Sequence, residues 1–268
     1  MLKSKSLSPV LYLPHGGGPL PILGDDEHKE LVAFLKGIGS TLDEPSAILV
    51  ISAHWEEDQP TLTSASQPDL IYDYYGFPPE SYEIQYPAPG HPELANEVFG
   101  LIHTTGMQAK LDDQRGFDHG LFIPLKIVYP HANIPCIQIS LQKNLNAREH
   151  IALGKQLSSL REKNVLIVGS GLSFHNMQAF GSTNIENKDK MFDQWLVNLC
   201  TSPELSPAER EKQLIEWENA PHARYCHPRE EHLLPLHVCY GAACAETPVA
   251  NLVFNDKVMG QQVSAFLW

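Results

Sequence analysis

Four short apolar runs, each bounded by turn residues, set the limits on how this chain folds: Val10 to Leu13, Ala47 to Ser52, Ile134 to Ser140 and Val165 to Gly169. Each is a brief apolar run bounded by turn residues, so each is predicted to be a buried strand. Between them the apolar period changes. Leu31, Phe34, Leu35 and Ile38 recur at helical spacing, as do Leu94, Val98 and Ile102 after the helix start His91-Pro92-Glu93. Further helices are predicted over Ala147 to Arg161, Lys190 to Leu199 and Pro207 to Trp217. Strand and helix in alternation imply the α/β class, with a largely parallel central sheet and helices on both faces. Leu252 to Asn255 and Val263 to Trp268 are predicted to add a C-terminal hairpin. No internal repeat, low-complexity tract or long Pro/Gly linker divides the chain, so residues 1–268 are read as one domain.

Charge narrows the partners. With 19 basic against 32 acidic residues the formal net charge is -13, and the basic residues are scattered. A phosphate backbone is repelled by such a surface, so nucleic acid is not an expected partner. No window approaches the roughly 18 apolar residues of a membrane span, and the residues before Pro14 do not read as a secretory leader. The five cysteines include no C-x-x-C pair, which argues against a disulfide framework or a thiolate zinc site. Cys239 and Cys244 read as small apolar residues near an apolar helix. A cytoplasmic location is the expectation.

The chemistry shows in where histidines fall. His15 follows the first strand and opens Gly16-Gly17-Gly18-Pro19; His54 follows the second in Ser52-Ala53-His54-Trp55; His175 follows the fourth, after Gly169-Ser170-Gly171. Ligands of open α/β sheets bind beyond the carboxyl ends of the strands, so three imidazoles distant in sequence can converge there. Imidazole suits Zn, Fe, Cu or Ni. The triple glycine lacks the spacing of a phosphate-cradling loop and reads instead as a tight turn that allows close backbone approach. Of the 13 histidines, His28, His103, His131 and His150 fall in helical or loop contexts expected at the surface.

Five segments then occur in order: Leu13-Pro14-His15-Gly16-Gly17-Gly18-Pro19, Ser52-Ala53-His54-Trp55, Phe117-Asp118-His119-Gly120, the glycine-rich stretch ending in His175, and Glu231-His232-Leu233-Leu234-Pro235-Leu236. Together with Tyr74-Tyr75-Gly76-Phe77-Pro78 and Tyr86-Pro87-Ala88-Pro89-Gly90, they resemble the class III extradiol ring-cleavage dioxygenases, in particular the DOPA 4,5-dioxygenase-like branch of the LigB superfamily. The likeness spans nearly the whole chain. It implies one divalent metal ion, Zn or Fe(II), held by His15, His54 and His232. His175 is implied either as a fourth ligand or as an acid/base. His119 is implied as a catalytic histidine that moves protons beside a small catecholic substrate cleaved with O2. Where other members supply a carboxylate, this sequence offers the adjacent pair Glu231 and His232, of which His232 is the expected ligand. His227 and His237 lie five residues to either side of His232, roughly 140° away on a helix, and are poor co-ligands.

The donor set and the family point to different metals. Fe(II) with two histidines, a carboxylate and open positions supports extradiol cleavage, whereas zinc has no redox chemistry and prefers closed four-coordinate sites. The leading expectation is an oxygenase opening a catechol such as DOPA between C4 and C5, its pocket lined by the aromatic, proline-rich loop Tyr72 to Tyr86. The alternative is a zinc-binding protein of the same fold, acting as a hydrolase or binding protein.

Overall fold

The computed structural model describes residues 7–104, 106–181 and 187–268. The four buried apolar runs form strands, each reaching further toward its carboxyl end than the run suggests. The predicted C-terminal hairpin forms, and two short strands that the sequence reading did not give, Thr61–Thr63 and Lys110–Asp112, join them. They are β1 (Val10–Pro14), β2 (Ala47–Glu57), β3 (Thr61–Thr63), β4 (Lys110–Asp112), β5 (Cys136–Gln142), β6 (Val165–Gly171), β7 (Asn251–Val258) and β8 (Gln261–Leu267). They make one eight-stranded sheet in the order β4-β3-β5-β2-β6-β1-β8-β7. The central four strands are mutually parallel, and the predicted C-terminal hairpin joins antiparallel at β1. Among the described residues no helix is long and apolar enough to cross a membrane.

Parallel strands buried on both faces need continuous apolar sequence, and β1 is buried at every position. Helices Ala147–Leu157 and Leu234–Ala243 cross closely because Gly154 and Gly241 meet there; a Cβ on either would sit within about 2.2 Å of a carbonyl oxygen of the other helix. Helix His119–Val128 had no predictive pattern. It is buried on nearly all sides and carries Pro124 in its interior, so it shows no polar stripe.

Two surface assignments are corrected. His103 and His131 are exposed, but His28 and His150 are fully buried. A short turn conceals His28, whereas His150 lies on the buried stripe of helix Ala147–Leu157 beside Ala147, Ile151 and Gly154. His28 ends the 3-10 turn Asp26–His28 and points under the glycine loop. His150 donates from Nδ1 to the Asn146 carbonyl and receives the Gln142 N–H at Nε2.

Candidate metal centre

The strands deliver the histidines to one place, with one correction: His15 and His175 lie beyond β1 and β6 as expected, whereas His54 lies inside β2, which runs on to Glu57. His15 leaves β1 with its N–H donating to Gly171 O of β6 (3.1 Å). Its Nδ1 lies 3.1 Å from Ser170 Oγ, and Ser170 gives its only hydroxyl proton to the Gly120 carbonyl. Ser170 must therefore accept from His15, which fixes the Nδ1–H tautomer and leaves Nε2 bare. That nitrogen sits 3.1 Å from His54 Nε2. Two imidazole nitrogens this close need a shared proton or a shared cation between them.

His54 lies inside β2, where pairing to β6 has stopped at Ser52 and the register with β5 shifts between Ile51 and Glu56. The irregular stretch turns the histidine toward the cavity. Ser52 Oγ accepts the His54 N–H (3.1 Å) and donates to Asp118 Oδ1 (2.7 Å). Asp118 in turn caps helix His119–Val128 by accepting from Gly120 N. One serine and one aspartate thus tie the backbone carrying His54 to the backbone carrying His119. Gly120 is obligatory, since a Cβ there would lie 2.5 Å from Ser52 Oγ and 3.3 Å from the His54 ring.

His232 completes the group. Its Nδ1 donates to Glu231 Oε1 (2.9 Å), leaving Nε2 available, and its ring centroid stands 5.2 Å from that of His15 and 4.9 Å from that of His54. Ligand atoms of His15, His54 and His232 all fall within 4.8 Å of one another. Burial, and then the neighbouring imidazoles, push the pKa of all three well below the ordinary histidine value. They are neutral at pH 7, as metal-binding imidazoles must be. Neutral, buried and convergent nitrogens fit a divalent cation.

His175 stands beside this trio. Its ring stacks on His232 (centroids 3.4 Å apart, 18° between planes), and its Nδ1 meets the same Glu231 oxygen at 3.0 Å. Its ligand atoms group with Glu231 and His232, not with His15 and His54. Glu231 therefore spends one oxygen on two imidazoles, with Arg229 3.4 Å from the other. Burial raises the Glu231 carboxyl, but the hydrogen bond and charge of His175 and the Arg229 charge bring it below its usual value.

His119 is held by a residue that the sequence did not single out. Asp73 Oδ1 accepts both His119 Nδ1–H (2.8 Å) and the His119 backbone N–H (3.0 Å). A carboxylate at a helix N-terminus is favoured by the helix dipole. Burial raises the Asp73 carboxyl, but the His119 hydrogen bonds and the nearby histidine charges lower it overall. The His119 ring lies 3.9 Å from that of His54. Its free Nε2 is the nitrogen able to exchange a proton with a molecule in the cavity. The only advance signal for Asp73 was a lone acid among Tyr72, Tyr74 and Tyr75.

A cavity of about 450 Å³ opens over these side chains, with Gly16, Gly17 and Gly18 on one wall and Tyr74, Tyr75 and Phe77 of the aromatic loop on another. Gly16 holds φ +84°, and a Cβ there would strike Pro21 and His28. His28 Nε2 accepts the Gly17 N–H (2.9 Å), and its Nδ1–H donates to Asp25 (2.7 Å). Ile84 and Tyr86, at the far end of the predicted pocket loop, instead pack into the core.

The fold and this constellation have known counterparts. Residues 9–267 match the family model for the catalytic LigB subunit of aromatic ring-opening dioxygenase. The chain is 38% identical to the dioxygenase tasH of Hapsidospora irregularis, over 98% of this chain and 86% of that protein. It is 36% identical to the 4,5-DOPA dioxygenase extradiol of Beta vulgaris (94% and 92% covered) and 31% identical to that of Escherichia coli K12 (93% and 90%). An uncharacterized protein of Escherichia coli K12, of known crystal structure, superposes with a TM-score of 0.77 at 27% identity, covering 97% of this chain and 99% of that one. The chain belongs to the LigB family of aromatic ring-opening dioxygenases and stands within it beside the extradiol enzymes.

Proposed function

We propose that this protein is a metal-dependent extradiol dioxygenase in which His15, His54 and His232 hold one divalent ion and the Asp73–His119 pair handles the substrate proton. The observation that carries this reading is the pairing of three neutral, convergent imidazoles with a carboxylate-held histidine on the same cavity. In the overall reaction a catechol and O2 combine, the ring C–C bond next to the two hydroxyl-bearing carbons breaks, and both oxygen atoms enter the product. When bound, Fe(II) supplies the charge that favours an ionised catechol and the electrons that activate O2.

The chain's own residues do the rest. His119 Nε2 takes the proton of a catechol hydroxyl, while Asp73 holds Nδ1–H and stabilises the imidazolium that results. Glu231 orients His232 and His175 from behind, which fixes their tautomers. His175, on the cavity lining and held by Glu231 instead of Asp73, is assigned the second proton transfer. Its position outside the group of three supports this role over a closed four-histidine zinc site. The apolar walls exclude water from the reacting ring.

Several relatives are named for DOPA as substrate, and cleavage between its C4 and C5 is the first activity to assay. Oxygen uptake and product absorbance are measured after anaerobic Fe(II) loading, alongside a zinc-loaded control. Ring opening with Fe(II) alone is the expected result. Failure of every catechol tried, with metal bound stoichiometrically, refutes the oxygenase reading and leaves the zinc-binding alternative.

A further inference from the structure

The cavity is polar only at its floor. Above the histidines and Asp73, its walls are Leu172, Phe77, Phe180 and Met259, and the mouth is formed by Tyr75 and Met177. Tyr75 (91% exposed) and Met177 (71%) are the two most exposed large apolar side chains among the described residues. They lie a hundred positions apart in sequence, yet both border this one opening. Paired solvent-facing apolar side chains at a pocket mouth mark a surface that a ligand covers.

No lysine or arginine lines the cavity among the described residues. The nearest guanidinium on the Glu231 side, Arg229, is already clamped by both oxygens of Glu56 (2.5 and 2.6 Å). Arg115 is paired with Asp118 and lies over Trp55. The Gly17 N–H, a donor that an anion at the glycine wall would seek, is committed to His28. The one ionised carboxylate on the lining, Asp73, is turned to His119 and repels a second negative charge.

From this we infer that the site, on the oxygenase reading above, selects catechols whose ring substituent is uncharged and apolar, and disfavours those bearing a carboxylate, including catecholic amino acids. The diol sits at the imidazole floor and the substituent runs along Phe77, Phe180 and Met259 to Tyr75 and Met177. An unpaired carboxylate against such a wall loses hydration with nothing in return, whereas each buried methylene gains about fourfold in affinity.

Binding is measured by calorimetry under nitrogen, so that no turnover occurs, on the Fe(II)-loaded and the metal-free protein. The probes are 4-methylcatechol, 4-propylcatechol, 3-(3,4-dihydroxyphenyl)propionate and L-DOPA. 4-Propylcatechol is expected to bind about tenfold more tightly than 4-methylcatechol, and at least tenfold more tightly than the propionate or L-DOPA. Met177→Arg, at an exposed position, is expected to narrow the gap between 4-propylcatechol and the propionate. Equal or tighter binding of L-DOPA, or no gain with chain length, overturns the inference. Ring opening in air is scored separately. A neutral preference without cleavage of any catechol overturns the oxygenase reading alone; cleavage with no such preference overturns the substrate class alone.

Discussion

Eight histidines, seven of them buried and His54 half-buried, divide into two sets, and burial does not separate them. His28, His150, His227 and His237 are 0% exposed, as deep as His15 at 1% and deeper than His232 at 4%. Burial lowers the pKa of most members of both sets. What differs is where the ring nitrogens point. His28 bridges Asp25 and the Gly17 N–H; His150 bridges the Asn146 carbonyl and the Gln142 N–H. His237 donates to the Leu214 carbonyl, and His227 donates to the Ser173 carbonyl between Phe192 and Trp217. In the other set one nitrogen is anchored and the second faces other imidazoles: Ser170 anchors His15 and Glu231 anchors His232. His28, His150 and His237 spend both ring nitrogens on protein, and His227 spends Nε2 while its buried Nδ1 has no hydrogen-bond partner; all four lie off the cavity lining and are structural. A bare nitrogen on the cavity lining that faces other imidazoles is the arrangement that could hold a cation.

The comparison breaks first at the trio. His15→Ala, His54→Ala and His232→Ala are each expected to abolish stoichiometric metal by elemental analysis and, with it, essentially all turnover, while circular dichroism stays native. A variant that keeps full metal removes that residue from the ligand set. His119→Ala is expected to keep its metal and lose about 10²–10⁴-fold in kcat. Asp73→Asn, which no longer holds the Nδ1–H tautomer, should fall in the same direction by a smaller factor and also retain metal. Loss of metal in His119→Ala would place that histidine among the ligands. His175→Ala is the sharper case: retained metal with reduced kcat supports proton transfer, and lost metal supports a four-histidine site.

Much of this arrangement was legible because strand ends are local events. A histidine placed just after a buried apolar run announces both the strand and the region where its side chain emerges, which is why His15 and His54 stood out. Asp73 and Ser170 were not legible. Asp73 lies on a loop whose path is decided by packing of Tyr72 and Tyr74 against Phe122, a helix residue almost fifty positions away. Ser170 lies inside a strand, and only the parallel register with β1, which sets it opposite Leu13, brings it to His15. The same limit hid His28. Its neighbours Asp26 and Glu27 are charged, and nothing in sequence says that the turn folds it beneath the glycine loop.

His28 tests the boundary between the sets, since its nitrogens are both committed but one of them holds the loop that follows His15. His28→Ala frees the Gly17 N–H and removes the side chain against which Gly16 packs. Supporting residues of metal sites typically contribute about 10–100-fold in affinity or activity, and a loss in that range is expected in metal titration. His28→Gln, which retains an acceptor, should recover part of it. An unchanged metal affinity in His28→Ala makes the residue purely structural.

His150 is the opposite extreme, remote from the cavity, and its replacement should leave metal content and turnover unchanged. Its effect belongs to stability and to pH. Burial lowers its pKa to about 4, against the partial counter-effect of the Asn146 carbonyl, while in the unfolded chain it titrates near 6.5. Between those values the unfolded state binds the proton and the folded state does not. Its contribution is therefore complete above about pH 6.5 and is lost as pH falls through about 4, at up to roughly 1.4 kcal/mol per pH unit. Denaturant unfolding of metal-free protein from pH 7.5 to 4 should show a falling limb, and His150→Asn should flatten it. At pH 7.5 the same variant is expected to cost about 1–3 kcal/mol, because the buried Gln142 N–H loses its acceptor. An identical limb in wild type and variant would mean that His150 is not a source of the acid sensitivity, and that the burdened histidines are His227, His237 and those of the metal site.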